Sequence, residues 1–330
     1  MLRVGLNPYG LTYTLGFQGT GTPRVNPAPV GLEGFVRIAR EIGARCIELD
    51  WRWLEPLDDD ALARLGDECR ADGMTVITSS WLHHRPGETL DEPVRAARAL
   101  GAALMRLHLT PVLEGARARL GSRWAAMVAH ARATLLAEAP KAAAAGLRVG
   151  LEDHQDLGSE ELLSLAEAAG DHVGVVFDTG NPFAVGEDPV AFARRAARRI
   201  RHLHLKDYRA QFSDEGVRLV RCPIGDGCVP LDAIASVLDA HGVDVTASLE
   251  PAALEARHIR LFTAEWWSGY PARDAQELAA AIGRLRHRAL GDADDYRTPW
   301  EARASPDAIV AYERAHLERS VVNMRGMGWL

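Results

Sequence analysis

Two kinds of segment alternate along most of this 330-residue chain. Short apolar runs rich in β-branched residues are followed by longer stretches rich in Ala, Leu and Arg, the patterns of buried strands and of helices. Several helical stretches end in a glycine, as expected just past a helix C-terminus. Eight of the apolar runs are predicted strands, at residues 3–8, 45–51, 74–80, 104–110, 148–154, 173–181, 200–207 and 244–251.

Eight strands that are each followed by a helix predict an α/β protein with a closed (β/α)₈ barrel. A doubly wound open sheet uses the same alternation, but no glycine-rich dinucleotide-binding motif follows the first predicted strand. We predict a single domain over residues 1–330, with the barrel at about 1–290. A C-terminal helical extension at about 291–330 contains the helical pattern PDAIVAYERAHLERSVVNM and is expected to pack on the outside of the barrel.

Composition narrows the class of protein. The formal net charge is −7 and no long basic cluster occurs, which argues against a nucleic-acid partner. Four cysteines form no CxxC pair and suit a reducing compartment better than a disulfide framework or a zinc-thiolate site. No apolar run approaches the roughly 20 residues of a membrane span, and the N-terminus shows no signal-peptide pattern. We therefore expect a cytoplasmic protein without a membrane partner.

The last four predicted strands each carry an acid or a histidine near their C-terminal end: Glu152, Asp178, His204 and Glu250. In a closed barrel these ends surround one opening, where three carboxylates would repel each other unless a cation neutralised them. A ligand set of mainly oxygen atoms suits Mn²⁺, Mg²⁺ or Co²⁺. The alternative is that the acids cap helices or form salt bridges, but four in succession favour a shared metal site.

The same residues carry a family resemblance. The segments GLEDH, FDTGN, HLHLKD and SLEP resemble those of the xylose-isomerase-like TIM barrels, the sugar phosphate isomerase/epimerase family, over roughly residues 1–270. The resemblance implies that Glu152, Asp178, His204 and Glu250 bind one divalent metal, with Mn²⁺ expected first. It also implies that Glu152 and Glu250 act as proton acceptor and donor on opposite faces of the substrate.

The family resemblance implies a metal-dependent sugar isomerase or epimerase. Such an enzyme acts on a polyhydroxy carbonyl compound by carboxylate-mediated proton abstraction and a metal-stabilised enediolate. A lyase on the same scaffold is the alternative, by β-elimination of a 3-keto glycoside, dehydration, or decarboxylation of a 3-oxo sugar acid. A nuclease similar to endonuclease IV is disfavoured, because the net charge is −7 and only one full ligand set is present. The expected partner is a small sugar or glycoside-derived substrate, and a homo-oligomer or partner subunit stays open.

Two departures from the ketose epimerase pattern leave the substrate open. Those epimerases carry Asn and Arg shortly after the fifth-strand Glu, where this chain reads EDHQDLGS. After the seventh strand we expect a long loop with Arg209, Arg218 and Arg221 in place of a short connection.

Further candidates lie near the same strand ends. His154 is a candidate acid/base group or a supporting histidine, and Lys206 is a candidate oxyanion stabiliser or a structural ion-pair partner. Glu48 is a candidate substrate ligand, with a buried ion pair as the alternative. Of the two histidines in HLHLKD, we expect His204 at the metal and His202 one layer deeper in the barrel. The candidate substrate-binding residues are His84, His108, Asn181, Arg221 and Trp266, each of which also has an ordinary structural interpretation.

Overall fold

The structure, a computed structural model, describes residues 2–82, 89–251, 255–291 and 293–330. Within these ranges it contains eleven strands: β1 (Arg3–Leu6), β2 (Cys46–Asp50), β3 (Thr75–Trp81), β4 (Leu104–His108), β5 (Arg148–Glu152), β6 (Val173–Asp178), β7 (Ile200–Leu205), β8 (Tyr208–Ser213), β9 (Gly216–Arg221), β10 (Thr246–Leu249) and β11 (Arg257–Ile259).

The described ranges also contain eleven α-helices. They are α1 (Gly31–Ile42), α2 (Trp51–Leu54), α3 (Asp59–Ala71), α4 (Asp91–Leu100), α5 (Ser122–Ala144), α6 (Ser159–Ala169), α7 (Pro189–Ala196), α8 (Leu231–Ala240), α9 (Ala264–Trp267), α10 (Ala275–His287) and α11 (Pro306–Gly326). Apolar faces of the longer helices pack on the outer surface of the strands; the stacked rings of Phe177 in β6 and Phe192 in α7 are one such contact, with centroids 4.9 Å apart.

Strands β1 to β7 and β10 form a closed parallel barrel, in the order β1-β2-β3-β4-β5-β6-β7-β10. The predicted (β/α)₈ barrel is confirmed, and the open-sheet alternative is excluded because β10 pairs with β1. The sixth strand stops at Asp178, earlier than predicted. A short 3₁₀ helix begins at Asn181, where Pro182 favours a helical start.

Strand register brings the polar strand ends to one level of the barrel. Asp178 of β6 pairs with His204 of β7, and His204 pairs on its other side with Ser248 of β10. The backbone N–H of Glu250 donates to the carbonyl of Leu205 at 3.0 Å, which fixes the chain just beyond β10. Neighbouring parallel strands therefore present their terminal side chains to the same mouth.

The segment after the seventh barrel strand differs from the expected long loop. It folds as a hairpin of β8 and β9, and β11 adds to β9 to complete a three-stranded antiparallel sheet. The sequence carries a signal for this hairpin, since YRAQFS and GVRLVR are strand-like runs separated only by Asp214 and Glu215. The inserted sheet follows β7 directly and so stands at the barrel mouth.

The C-terminal helix α11 is attached to the N-terminal segment of the barrel. Its Glu313 is fully buried and accepts hydrogen bonds from the backbone N–H groups of Tyr13 and Thr14, at 3.0 and 2.8 Å. Further along the helix, the Ser320 hydroxyl accepts from the N–H of Ile224 at 2.9 Å. The helix therefore holds together two segments that lie far apart in sequence.

Candidate metal centre and active site

Four buried side chains converge at the C-terminal end of the barrel: Glu152 from β5, Asp178 from β6, His204 from β7 and Glu250 after β10. Each offers one ligand atom, and all four atoms lie within 4.8 Å of one another. Nδ1 of His204 is 3.1 Å from Oε1 of Glu152 and 3.3 Å from Oε2 of Glu250. The structure thus brings together the four residues that were predicted from their positions at the strand ends.

The chemistry of this cluster fits a divalent cation. Oε2 of Glu152 is buried with Nη2 of Arg106 3.3 Å away, and Oδ2 of Asp178 is buried with Nζ of Lys206 2.5 Å away. Three buried carboxylates, each offering a ligand atom within 4.8 Å of the others, are costly unless positive charge compensates them. Three carboxylates and one imidazole match the ligands of hard or borderline ions. Glu152, Asp178, His204 and Glu250 are therefore suited to hold a metal.

Lys206 supplies positive charge beside the cluster. Its Nζ lies 2.5 Å from Oδ2 of Asp178 and 2.8 Å from Oε1 of Glu250. Burial opposes the charged form of this lysine, but the two carboxylates raise its pKa. Lys206 is therefore an ammonium ion at neutral pH, placed where it can donate hydrogen bonds at the cluster.

The carboxylates of the cluster differ in their titration. Burial favours the protonated form of Glu250, but Lys206 and Arg221 overcome it and lower its pKa to about 2. The pKa of Glu152 is likewise held well below its usual value, against burial, chiefly by Arg106. Burial raises the pKa of Asp178 despite the opposing charge of Lys206. Glu152 and Glu250 are therefore ionised bases at neutral pH.

His204 is oriented by contacts on both sides of its ring. Its Nε2 lies 2.8 Å from Oε2 of Glu48, so Glu48 can accept the Nε2 proton and leave the Nδ1 lone pair facing the cluster. His202 sits deeper, with Nδ1 2.7 Å from the Thr246 hydroxyl and Nε2 2.9 Å from the Ser248 hydroxyl. Although Glu48, His202 and His204 could also group around an ion, both ring nitrogens of His202 are already hydrogen-bonded.

A cavity of about 410 Å³ opens onto this cluster. Its lining includes the aromatic and apolar side chains of Tyr9, Phe17, Trp81 and Leu113. It also includes charged and imidazole side chains, namely Arg52, Arg106, His108, Glu152, His154, Lys206, Arg221, Glu250 and Arg257. A cavity of this size, lined by both apolar and charged side chains, suits a small polar molecule.

Two of the cavity histidines lie together. The rings of His108 and His154 are 4.6 Å apart between centroids. Burial lowers the pKa of His154 to about 4, against the opposing charge of Glu152, so His154 is neutral at physiological pH. Its Nδ1 has no hydrogen-bond partner among the described residues. His154 is therefore available to donate or accept one hydrogen bond inside the cavity.

The remaining predicted substrate ligands fall in different places. Arg221 lines the cavity, whereas the Asn181 side chain is used internally: its Nδ2 donates to the carbonyl of Asp153 and its Oδ1 accepts from Gln155. Trp266 lines a separate cavity, where its indole N–H donates to the carbonyl of Glu114 at 3.2 Å. His84 lies outside the described residues.

Sequence reasoning missed Arg106, the central cation of the site. It is almost fully buried; Nε lies 3.4 Å from Oε1 of Glu48 and Nη2 lies 3.3 Å from Oε2 of Glu152. A signal was present, because Arg106 interrupts the apolar strand LMRLH two residues before His108 and so shares its face. Arg52, Gln155 and Arg257 also line the cavity without having been singled out.

Two curated relatives match parts of the chain. It is 28% identical over 189 residues to the uncharacterized protein YihM of Escherichia coli (strain K12), a match that covers 57% of this chain and 55% of that protein. It is 30% identical over 128 residues to an inosose dehydratase of Clostridium beijerinckii, covering 32% and 42% of the two chains. The chain therefore spans about half the length of these relatives.

A solved structure and a family model cover more of the chain. The structure of L-ribulose 3-epimerase matches 87% of this chain and 96% of its own, with a TM-score of 0.55 and 19% identity, which is a likeness of fold. None of the described helices combines the length and apolar character needed to cross a membrane. The family model for the xylose isomerase-like TIM barrel matches residues 36–266. Since this match spans well over half of the chain, and the barrel closes with eight parallel strands, the protein belongs to the xylose isomerase-like TIM barrel family.

Proposed function

We propose that the protein is a divalent-metal-dependent enzyme that removes a proton from the carbon next to the carbonyl group of a small polyhydroxy compound. The observation that carries this proposal is the convergence of Glu152, Asp178, His204 and Glu250 below a cavity of matching size. An isomerase or epimerase is the first candidate. Its reaction is complete once a proton is returned to the substrate, and no leaving group has to be expelled.

The metal is proposed to sit between the four ligands, with Mn²⁺ expected first and Mg²⁺ or Co²⁺ as alternatives. When bound, it supplies Lewis-acid polarisation of the substrate's carbonyl oxygen. Asp178 and His204 serve only to hold it. Glu152 and Glu250 have a second role, because both also line the cavity.

Proton transfer is assigned to the two glutamates. Glu250 is ionised at neutral pH and faces the cavity, so it can accept a proton from a substrate carbon. Glu152 reaches the cavity from the neighbourhood of Arg106 and, once it has taken up a proton from solvent, returns one from another side, while the proton on Glu250 passes to solvent and restores both carboxylates. Lys206 is placed to donate a hydrogen bond to the negative charge that develops on the substrate oxygen. His154 is assigned a supporting acid/base role.

A lyase is the second candidate. It is favoured by the partial similarity to an inosose dehydratase, whose name denotes loss of water. The inserted sheet of β8, β9 and β11 at the barrel mouth also gives this site walls of its own. In a lyase the same proton abstraction is followed by expulsion of a group from the next carbon.

The test is incubation of the Mn²⁺-loaded protein in D₂O with a panel of ketoses, inososes and 3-keto glycosides, followed by mass spectrometry. A product of unchanged composition with one deuterium indicates an isomerase or epimerase, and loss of water or of an aglycone indicates a lyase. The Glu250→Gln variant is expected to abolish both results, whereas Glu265→Gln, an exposed position, should change neither. Absence of exchange and of product across the panel would contradict the proposal.

A further inference from the structure

More cationic than anionic side chains line the cavity. Among the described residues that line it are five cations, namely Arg52, Arg106, Lys206, Arg221 and Arg257, but only two carboxylates, those of Glu152 and Glu250. Polyhydroxy compounds without charge need hydrogen-bond donors and acceptors in balance. A surplus of guanidinium groups is instead suited to an oxyanion.

Four of the five cations have a carboxylate partner, but Arg221 shares its partner, Glu250, with Lys206. Arg52 forms a two-point ion pair with Asp50, at 2.8 and 3.0 Å. Arg106 contacts Glu48 and Glu152. Lys206 lies between Asp178 and Glu250. Arg221 and Arg257 are the least paired of the five, because Arg221 shares Glu250 with Lys206 and Arg257 has no ion pair with a described residue.

Arg221 is more than nine-tenths buried and only partly paired. Its Nη2 lies 3.3 Å from Oε1 of Glu250, an oxygen that Lys206 already contacts at 2.8 Å. Its Nε and Nη1 are buried and donate no hydrogen bond to the described residues. A buried guanidinium with two unpaired nitrogens is costly unless a ligand accepts from them.

Arg257 joins Arg221 through the register of the inserted sheet. Arg257 of β11 pairs with Leu219 of β9, and Arg221 lies two residues beyond Leu219 on the same strand. Paired residues, and residues two apart, share one face of a sheet, so the two arginines are diagonal neighbours on the face turned to the cavity. Within the described ranges, Nε of Arg257 has no hydrogen-bond partner and its side chain has no ion pair.

From this geometry we infer that the substrate carries an oxyanion group, a carboxylate or a phosphate, held by Arg221 and Arg257. The inference rests on the proposed function, since it places the anion beside the reacting carbon bound at the metal cluster. Arg221 contacts Glu250, so the anion lies on the Glu250 side of the substrate. The inserted sheet then selects the substrate, while the barrel strands supply the reacting groups.

The test compares ligands that differ only in charge. Desalted, Mn²⁺-loaded protein is titrated calorimetrically with D-sorbitol, D-gluconate and D-sorbitol 6-phosphate, and its metal content is measured on the same sample. At least one of the two anions should bind about 10-fold or more tightly than D-sorbitol, the scale of a buried charge-assisted hydrogen bond. The better anion identifies whether the group is a carboxylate or a phosphate.

Variants separate the arginines from direct binding of the anion to the metal. Arg221→Gln and Arg257→Gln should each remove most of the preference for the anion over D-sorbitol. Arg257→Gln is the cleaner variant, because Arg257 has no ion pair with the metal cluster among the described residues. Arg218→Gln is the matched control on β9, since Arg218 contacts Gln211 and Tyr296 and does not line the cavity.

Three results would overturn the inference: equal affinity for D-sorbitol and both anions, no binding of either anion, or a preference that survives in both arginine variants. Failure of the proposed function has a different signature. In that case the protein holds no stoichiometric metal, while the Arg221- and Arg257-dependent preference for an anion persists.

Discussion

Nε2 of His204 lies 2.8 Å from Oε2 of Glu48, on the edge of the imidazole that faces away from Glu152 and Glu250. This contact links β2 to β7 across the barrel interior. Glu48 is fully buried and also lies 3.4 Å from Nε of Arg106, so one carboxylate positions both a candidate ligand and the main cation of the site. Such partners fix the ring orientation and proton position of a ligating histidine.

The first prediction follows from this contact. Glu48→Gln should weaken Mn²⁺ binding about 10- to 100-fold, because a neutral amide stabilises the Nε2 proton of His204 less than a carboxylate does. Competition with a fluorescent chelator measures the affinity, and Glu265→Gln serves as an exposed control. Unchanged affinity in Glu48→Gln would show that the contact does not orient a metal ligand.

Loss of a proposed metal ligand should weaken metal binding more than loss of Glu48, which only orients a ligand. Glu152→Gln and Glu250→Gln should each lower metal occupancy below stoichiometry after desalting, and should reduce turnover by about 10²-fold or more where an acid/base group is lost as well. Elemental analysis reports the first effect and product formation the second. If either variant retains full metal and near-normal turnover, that glutamate has neither role, and His154 becomes the next candidate base.

Lys206 should compensate charge at the cluster. Lys206→Met leaves the buried Asp178 and Glu250 without their ammonium partner and should lower the unfolding free energy of metal-free protein by about 3 kcal/mol. Added Mn²⁺ should therefore raise the melting temperature more in this variant than in the parent protein. Lys141→Met, in which a partly exposed lysine loses its ion pairs with Asp91 and Glu138, is the control. An equal metal-induced shift in parent and variant would argue against this role.

The helix α11 should be an integral part of a single domain. In Glu313→Gln, the N–H groups of Tyr13 and Thr14 lose a buried carboxylate acceptor, and we expect a loss of about 2 kcal/mol in unfolding free energy. Glu318→Gln, which alters only an exposed pair with Arg314 on the same helix, should cost little. Two separate unfolding transitions in urea would contradict the single-domain prediction.

Protonation of His316 in α11 should lower the unfolding free energy at acidic pH. Burial lowers the pKa of this histidine from its ordinary 6.5 to about 4. Between these two pH values the imidazole is therefore protonated in the unfolded chain but neutral in the folded protein. Stability from this group is complete above pH 6.5 and falls as the pH drops towards 4, by up to about 2 kcal/mol at pH 5. His316→Gln should therefore lose less stability than the parent between pH 7 and pH 5, whereas an exposed His130→Gln should behave like the parent. Parallel pH profiles for all three proteins would refute this assignment.

The barrel could be predicted from the pattern of residues alone. Burial on both faces of a parallel strand demands a continuous apolar run, and eight such runs separated by helices allow few other architectures. The same logic located the candidate ligands. The C-terminal ends of the barrel strands lie at the mouth, so an acid or histidine that ends an apolar strand is placed there. Glu152, Asp178, His204 and Glu250 lie together at this mouth.

The pairing of polar groups across the barrel mouth could not be predicted from the sequence and depends on the folded arrangement of the strands. Arg106 pairs with Glu48 and Glu152, and the three residues come from three different strands. No local sequence pattern predicts these ion pairs. Likewise Trp266 and His108 are both near strand ends, yet the connection after β10 carries Trp266 to another cavity, whereas His108 lines the one above the cluster. Strand ends are fixed by periodic burial within one segment, whereas ion pairs and cavity walls depend on long-range contacts that form only when the barrel closes.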